Sequence, residues 1–205
     1  VKPLVIIGAG GLGSESLWVA TEMGGWDCLG FADDDSSKGD SVYGKPLLGR
    51  VDAICDTMEP VWFHCAIGNN QVRARVFERF EAKGWAPASL IHPNVAVGPN
   101  VRIGAGSYIG AGCVLCPNAS TGKGAVVNCQ VLLGHDSMMG DFSQACPGVR
   151  VNGYCKVGEY AFLGSNASLR PGVSIGAGAT LGANSLAIRN IAENTMAIGV
   201  PARTM

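Results

Sequence analysis

From Val95 to Asn184 the apolar positions recur at every sixth residue. Val97, Ile103, Ile109 and Leu115 open a column of large aliphatic side chains; Leu163, Leu169, Ile175 and Leu181 close it in the same frame. Two residues before each stands a small or β-branched residue, as at Val101, Cys113, Ala125, Ala161 and Ala179. Alternation at period two puts both on one face of a short strand. Gly often follows the aliphatic residue, as at Gly98, Gly104, Gly134 and Gly164, where it would allow the tight turn that comes next. A fixed short period predicts a solenoid: three short strands to a coil of roughly 18 residues, stacked as a parallel β-helix. Only Thr121 and Ala145 depart from the large aliphatic type.

The first 92 residues carry a different pattern. Leu4–Gly8 reads as a buried strand, Gly8-Ala-Gly-Gly-Leu-Gly13 as a glycine turn, and Ser14–Met23 as a helix. The backbone N–H groups of such a turn and the helix N-terminus suit a phosphate. A second strand, Cys28–Ala32, ends at Asp33 and Asp34, where an acidic residue can hold a ribose hydroxyl. The strand Val61–Phe63 leads to Gly68, Asn69 and a helix reaching about Lys83, with Arg73 on its first turns, and a last strand is expected at Ser89–Ile91. This is one small Rossmann-like βαβαβ half. Its size fits a mononucleotide better than NAD, with Gly68, Asn69 and Arg73 completing a diphosphate site beside the first turn. The glycines could instead serve tight packing alone. The predicted organisation is an α/β Rossmann-like domain over residues 1–92, then a β-helix with a C-terminal tail over 93–205.

Composition narrows the function classes. Lys and Arg number 15 against 16 Asp and Glu, so no charge excess points to nucleic acid. No apolar run of membrane-spanning length and no secretion signal occurs, so neither membrane insertion nor export is expected. The 8 Cys form no disulfide or zinc framework; Cys113 and Cys155 fall on inward positions, so buried thiols in a reducing cytoplasm are expected, and no metal.

His135 stands out because it occupies a turn, not an inward position, and no other histidine lies within the repeats. Asp136 follows it, and its charge would favour an imidazolium beside it. Gly153 lies one coil later and should stack over His135 with an open N–H, and Asn128 lies one strand before. The outward residues sort into three faces. Ala96, Val114 and Leu132 make one apolar face and Tyr108, Val126, Gln144 and Phe162 another; Arg102, Ser120, Met138, Lys156 and Ser174 make a polar third. Two apolar faces suggest closure into a ring of identical chains, with His135 at the seam.

With these repeats, the single turn histidine, the terminal Gly199-Val-Pro-Ala-Arg203 and the preceding α/β domain, the chain resembles the bacterial nucleotide-sugar N-acetyltransferases of the hexapeptide-repeat acyltransferases. The likeness is to the enzymes acting on UDP-4-amino sugars of the bacillosamine route and on GDP-perosamine. It implies a left-handed β-helix, a homotrimer in the bacterial cytoplasm, acetyl-CoA as co-substrate, and a UDP-linked amino sugar, or a GDP- or dTDP-linked one, held by the N-terminal domain. The transfer would go to the sugar amine, at C4. By motif, His135 matches the general base and Asp136 the acid beside it, which is Glu in some members. Gly153 matches the N–H donor facing the thioester oxygen, and Asn128 a polar residue lining the site. Gly10, Gly11, Leu12, Asp33, Asp34 and Gly68 match nucleotide-sugar contacts. Gln144, Ser165 and Ala183 fall at coenzyme A positions by spacing, and Gly199, Pro201 and Arg203 by the terminal motif. Sugar O-acetylation, as in the sialic-acid O-acetyltransferases, and a non-catalytic sugar-binding solenoid are the alternatives.

Overall fold

The computed structural model describes residues 1–205, which divide into two compact units, Val1–Leu90 and Ile91–Met205. In the first unit, β1 (Lys2–Ile7), α1 (Gly11–Met23), β2 (Trp26–Ala32), β3 (Ser41–Val42), β4 (Lys45–Gly49), α2 (Val51–Thr57), β5 (Trp62–Cys65), α3 (Asn70–Ala82) and β6 (Ala86–Pro87) follow in order. The sheet order is β3-β4-β2-β1-β5-β6. All its pairs are parallel except β3 with β4. Leu4, Val5, Ile6 and Ile7 are fully buried, as a central parallel strand requires. The segment β3-β4-α2 extends the expected βαβαβ half at one edge, and the last strand lies at Ala86–Pro87, not at Ser89–Ile91. Leu90–Ile91 is instead the first strand of the eight-stranded β-helix sheet.

Glycines of the first turn divide by what surrounds them. A Cβ on Gly8 would lie 2.7 Å from the Ala66 carbonyl oxygen, and one on Gly13 would strike the Gly8 carbonyl, so both are needed for packing. Around Gly10 and Gly11 the space is open. Asp33 closes this turn. Its Oδ2 accepts from the Ala9 N–H at 2.6 Å and from Lys38 Nζ at 2.7 Å, and its Oδ1 from the Asp35 N–H at 2.8 Å.

The second unit is a left-handed parallel β-helix. Its two-residue strands stack into five-, six- and eight-stranded sheets, one for each side of the prism. Leu133, Leu163, Leu169 and Leu181 are fully buried in one continuous core. Thr121 is inward because Ser107 joins it there: the Gly104 N–H donates to Thr121 Oγ1 at 3.2 Å, and Ser107 Oγ donates to the Gly122 carbonyl at 2.9 Å.

The glycine column plays a different role from the turn role expected of it. Gly98, Gly104, Gly134 and Gly164 are not left-handed. The left-handed position comes two residues later in every repeat, at Asn100, Asn118, Gln130, Asp136, Tyr154 and Asn184, among others, with glycines such as Gly112 and Gly148 filling the rest. What the column residues lack is room. A Cβ on Gly134 would sit 2.5 Å from the Gly153 nitrogen, and one on Gly164 2.5 Å from the Ala183 nitrogen, in the next coil.

Outward stacking follows the expected faces in register, with Ala96, Val114 and Leu132 paired in one sheet and Tyr108, Val126, Gln144 and Phe162 in another. The second face is less open than expected: Tyr108 and Val126 are already buried in the single chain. On the first face Arg150 stacks after Leu132, so its apolar strip ends there. All eight cysteines are free, and no helix is long and apolar enough to cross a membrane.

Asp33 gives this unit a pH signature. Burial pushes its pKa up, but the Lys38 ammonium and the Ala9 and Asp35 amides outweigh burial and hold it below the usual carboxylate value. A depressed folded pKa stabilises the fold above the unfolded pKa, and the stabilisation is lost as pH falls through the folded one. Asp33→Asn should therefore melt below the parent at neutral pH, with the two midpoints converging as pH falls through and below the ordinary carboxylate range. Midpoints that keep a constant separation down to acid pH would refute this.

Candidate functional site

The turn Gly134–Ser137 joins the strand Leu132–Leu133 to the strand Met138–Met139 and carries His135 and Asp136. Its backbone is set by the coils on either side: the Asp136 N–H donates to the Pro117 carbonyl at 3.1 Å, and the Tyr154 N–H to the His135 carbonyl at 3.0 Å. Asp136 takes the left-handed conformation with φ 57°, which a short polar side chain tolerates. His135 Nδ1 lies 2.9 Å from Asp136 Oδ2. Asn118 Nδ2 donates to the other oxygen, Oδ1, at 3.0 Å. Hydrogen bonds from His135 and then from Asn118 hold the Asp136 carboxyl below its ordinary pKa. Asp136 is therefore a carboxylate at neutral pH, and it accepts a hydrogen bond from His135 Nδ1–H. The Nε2 lone pair is left for chemistry.

The imidazole lies over Gly153. A Cβ there would be 2.5 Å from His135 Nε2 and 2.7 Å from Cε1, so only glycine lets the ring sit where it does. The Gly153 carbonyl accepts from the Gly172 N–H at 2.9 Å. The Tyr154 ring meets the imidazole edge-on, with centroids 4.8 Å apart at 89°. The His135 side chain is 55% exposed, so a substrate can reach it from solvent.

The other expected β-helix residues stand elsewhere in the chain. Asn128 begins the turn that precedes the strand Leu132–Leu133, at the opposite end of that strand from His135, and its Oδ1 accepts from the Cys129 N–H at 2.7 Å. Gln144 lies on the strand Gln144–Ala145, with Oε1 buried and without a hydrogen-bond partner. Ser165 and the exposed Ala183 occupy the corner between the eight-stranded and six-stranded sheets, whereas His135 occupies the corner between the six-stranded and five-stranded ones. At the C-terminus, Met196–Gly199 pairs antiparallel with Ala202–Thr204, and the Gly199 N–H donates to Ser185 Oγ at 2.9 Å. The Val200–Pro201 peptide is cis. Pro201 and Arg203 line a cleft of about 320 Å³ together with Arg189 and Asn190.

In the first unit Gly10, Gly11 and Gly68 face open space, and Leu12 sits in the first turn of α1. Gly10 is the N-cap of α1, and no side chain caps that end. Asp33 accepts three hydrogen bonds, from the glycine turn, Lys38 and Asp35, so it shapes this site, with Oδ1 engaged only once. Asp34 is more open, its Oδ1 accepting from the Val51 N–H at 3.1 Å. Asn69 caps α3 by accepting from the Val72 N–H at 3.0 Å. Arg73 corrects the expectation of a diphosphate contact. It is 1% exposed, and its guanidinium donates to the Ile67 carbonyl at 2.8 Å and to Asn70 Oδ1 at 2.9 Å. Burial lowers its pKa to about 10, and it acts by fixing the loop that presents Gly68.

Asn118, Tyr154 and Tyr43 were not among the expected residues. Asn118 and Tyr154 lie 18 residues before and after Asp136, so the coil period alone locates them. Tyr43 gave no such signal; its hydroxyl reaches the Gly10 carbonyl at 3.4 Å from the turn after β3. No group of three or more His, Cys, Asp or Glu side chains is placed to hold a metal.

Known proteins match both units. The PglD N-terminal domain description fits residues 3–80, and the bacterial transferase hexapeptide description fits residues 87–117 and 154–186. A GDP-perosamine N-acetyltransferase of Escherichia coli O157:H7 is 30% identical over 161 residues, spanning 76% of this chain and 72% of that one. The acetyltransferase domain of PglB from Neisseria gonorrhoeae FA1090, solved with acetyl coenzyme A, is 30% identical with a TM-score of 0.95, over 100% of this chain and 99% of that one. PerB from Caulobacter crescentus, solved with CoA and GDP-perosamine, is 29% identical with a TM-score of 0.91, over 100% and 98%. On these matches to both units and across the whole chain, the protein belongs to the hexapeptide-repeat family of acetyl-CoA-dependent nucleotide-sugar N-acetyltransferases.

Proposed function

We propose that the chain acetylates the C4 amine of a nucleoside-diphosphate amino-deoxy sugar, with His135 as general base. The observation that carries this reading is the His135–Asp136 pair, whose ring lies over Gly153. The sugar's free amine attacks the thioester carbonyl of acetyl-CoA while Nε2 of His135 takes one N–H proton. Asp136 holds the imidazolium that forms. The Gly153 N–H stabilises the oxyanion. The tetrahedral intermediate then breaks its C–S bond, and the imidazolium returns the proton to the departing sulfur. The products are the amide and free coenzyme A.

The nucleotide part is held by the first unit. Open space at Gly10, Gly11 and Gly68 and the uncapped N-terminus of α1 support a diphosphate there, with Asp34 and Tyr43 near the nucleoside. Two of the three relatives described above are named for, or were solved with, GDP-perosamine. Calorimetry with UDP-, GDP- and dTDP-sugars separates the bases.

We place the active site between copies of a homotrimer. Ser165 and Ala183 stand on a different corner from His135, and Gln144 on a face that does not adjoin that histidine's corner; a neighbouring chain would bring them to the histidine. The strip of Ala96, Val114 and Leu132 supports the same seam, since Val114 is 41% exposed in the single chain.

His135→Ala should lower turnover at least hundredfold while acetyl-CoA still binds, because a general base contributes ~10² to 10⁴. Near-normal turnover would sink the assignment. In Gly153→Ala the nearest atoms met are those of the half-exposed His135 ring, so the ring should yield before the backbone and the melting midpoint should move little. Turnover should nevertheless fall by ~10-fold or more, as reacting groups shift by about an ångström. An unimpaired Gly153→Ala enzyme would remove the ring's seat over Gly153 from the mechanism.

Leu132→Arg tests the seam. Burying a side chain of this size is worth ~1.5–3 kcal/mol, and the substitution replaces it with an unpaired charge. The β-helix should stay folded, the trimer should weaken, and specific activity should drop on dilution in step with light scattering. A monomeric variant of full activity would refute the intersubunit site.

A further inference from the structure

The residues at 100, 118 and 136 share one column of the β-helix, a coil apart, and all three are left-handed, with φ 59°, 62° and 57°. Their side chains form a directed ladder. Asn100 Nδ2 donates to Asn118 Oδ1 at 3.2 Å, and Asn118 Nδ2 donates to Asp136 Oδ1 at 3.0 Å. Asp136 Oδ2 then meets His135 Nδ1 at 2.9 Å. The direction is forced by chemistry. A carboxylate only accepts, so Asn118 must turn its NH₂ toward Asp136. Its carbonyl oxygen is then left facing down the column, where the Asn100 amide supplies the donor.

We propose that Asn118 is a positioning residue that fixes the tautomer of His135 by orienting the Asp136 carboxylate. The side chain of Asp136 is partly exposed, and the two hydrogen bonds to its carboxylate come from different residues. Two donors on different oxygens fix the plane of the carboxylate. With Oδ1 held by Asn118, Oδ2 stays on Nδ1 and keeps the ring proton there. Nε2, the nitrogen over Gly153, is left with its lone pair. Tyr154 packs against the ring from the coil above and sets its tilt. The ladder sets which nitrogen is basic, and the instruction begins two coils away. This rests on His135 being the base, and the test separates the two ideas.

Asn118→Gly removes the amide without backbone strain, since glycine takes φ near +62° freely. Asn118→Asp keeps the shape but sets a carboxylate against Asp136. The full-length enzyme carrying ¹⁵N-labelled histidine reports the tautomer through its imidazole nitrogen shifts, above the titration of the ring. Steady-state kinetics run beside it. The parent should show His135 protonated on Nδ1. Asn118→Gly should shift the population toward Nε2–H and lower kcat by ~5- to 30-fold, with the KM for acetyl-CoA and for the nucleotide sugar within about twofold. Asn118→Asp should be lower still, and Asn100→Gly should move both readouts the same way by less. Tautomer populations unchanged in both Asn118 variants would overturn the proposal, whatever happens to kcat. A shifted tautomer with unchanged kcat would uphold the ladder and overturn the reading of His135 as base.

Discussion

At ten of fifteen equivalent positions the coils of the β-helix stack over a glycine, where a Cβ would crowd the next coil, and Cys116, Asn128, Cys146, Asn152 and Arg170 take the other five. The bonds that set the coil spacing are short. The Gly134 N–H donates to the Val151 carbonyl at 2.7 Å, and the Cys116 N–H to the Leu133 carbonyl at 2.8 Å. At this spacing one column is mostly glycine, a second takes a left-handed backbone, and a third is filled with aliphatic side chains. A long side chain with freedom to act belongs at a corner. Stacking also fixes what it meets there, because the residue above is always one coil later. The ring of His135 over Gly153, and Asn118 under Asp136, are both consequences of a single period.

The same unit shows why such a surface dyad is worth having. A half-exposed hydrogen-bonded pair of this kind adds little to stability. Its use is geometric: at 2.9 Å from Nδ1 the Asp136 oxygen assigns the ring proton, and the left-handed corner keeps the carboxylate within reach. Asp33 in the first unit has the opposite assignment. Its side chain is only 15% exposed, and its oxygens accept from the turn, Lys38 and Asp35. Arg73 does for the Gly68 loop what Asp33 does for the Gly10 turn. One buried ion and one nearly buried ion thus hold two loops whose glycines face open space.

The repeat was legible in the sequence because its aliphatic column is invariant in spacing, and Leu133, Leu163 and Leu169 are fully buried where that column places them. The reason for its glycines was not legible, since a need for positive φ and a need for clearance write the same letter. Only the backbone angles separate them, and they move the turn to the column two residues later, where Asn, Asp and Gly stand beside Gln130, Phe142, Tyr154 and Tyr160. The edge formed by β3, β4 and α2 was missed because Ser36–Pro60 has no sustained apolar period; β4 is the short Lys45-Pro-Leu-Leu-Gly49. In the site, His135, Asp136 and Gly153 were legible from position alone. Asn118 and Tyr154 were legible in principle, at the coil offset from Asp136. The burial of Arg73 was not, because a cation near a glycine loop reads as a phosphate ligand until its partners prove to be the loop's own carbonyls.

These constraints place the freedom to change in different parts of the chain. Inside the β-helix a substitution must satisfy its column, and an insertion of one residue within a coil would carry His135 off Gly153 and Asp136 off Asn118 together. The chemistry is therefore tied to the fold's period and resists small adjustment. No such period binds the loops of the first unit. Gly10, Gly11 and Gly68 border open space, and Tyr43 leans over the turn from a short edge hairpin outside the central strands. Changes there leave the sheet of β1, β2 and β5 untouched. On the proposed function, selection among nucleotides would fall to residues such as Asp34 and Tyr43, and acetyl transfer to a corner whose neighbours are set by the coil period.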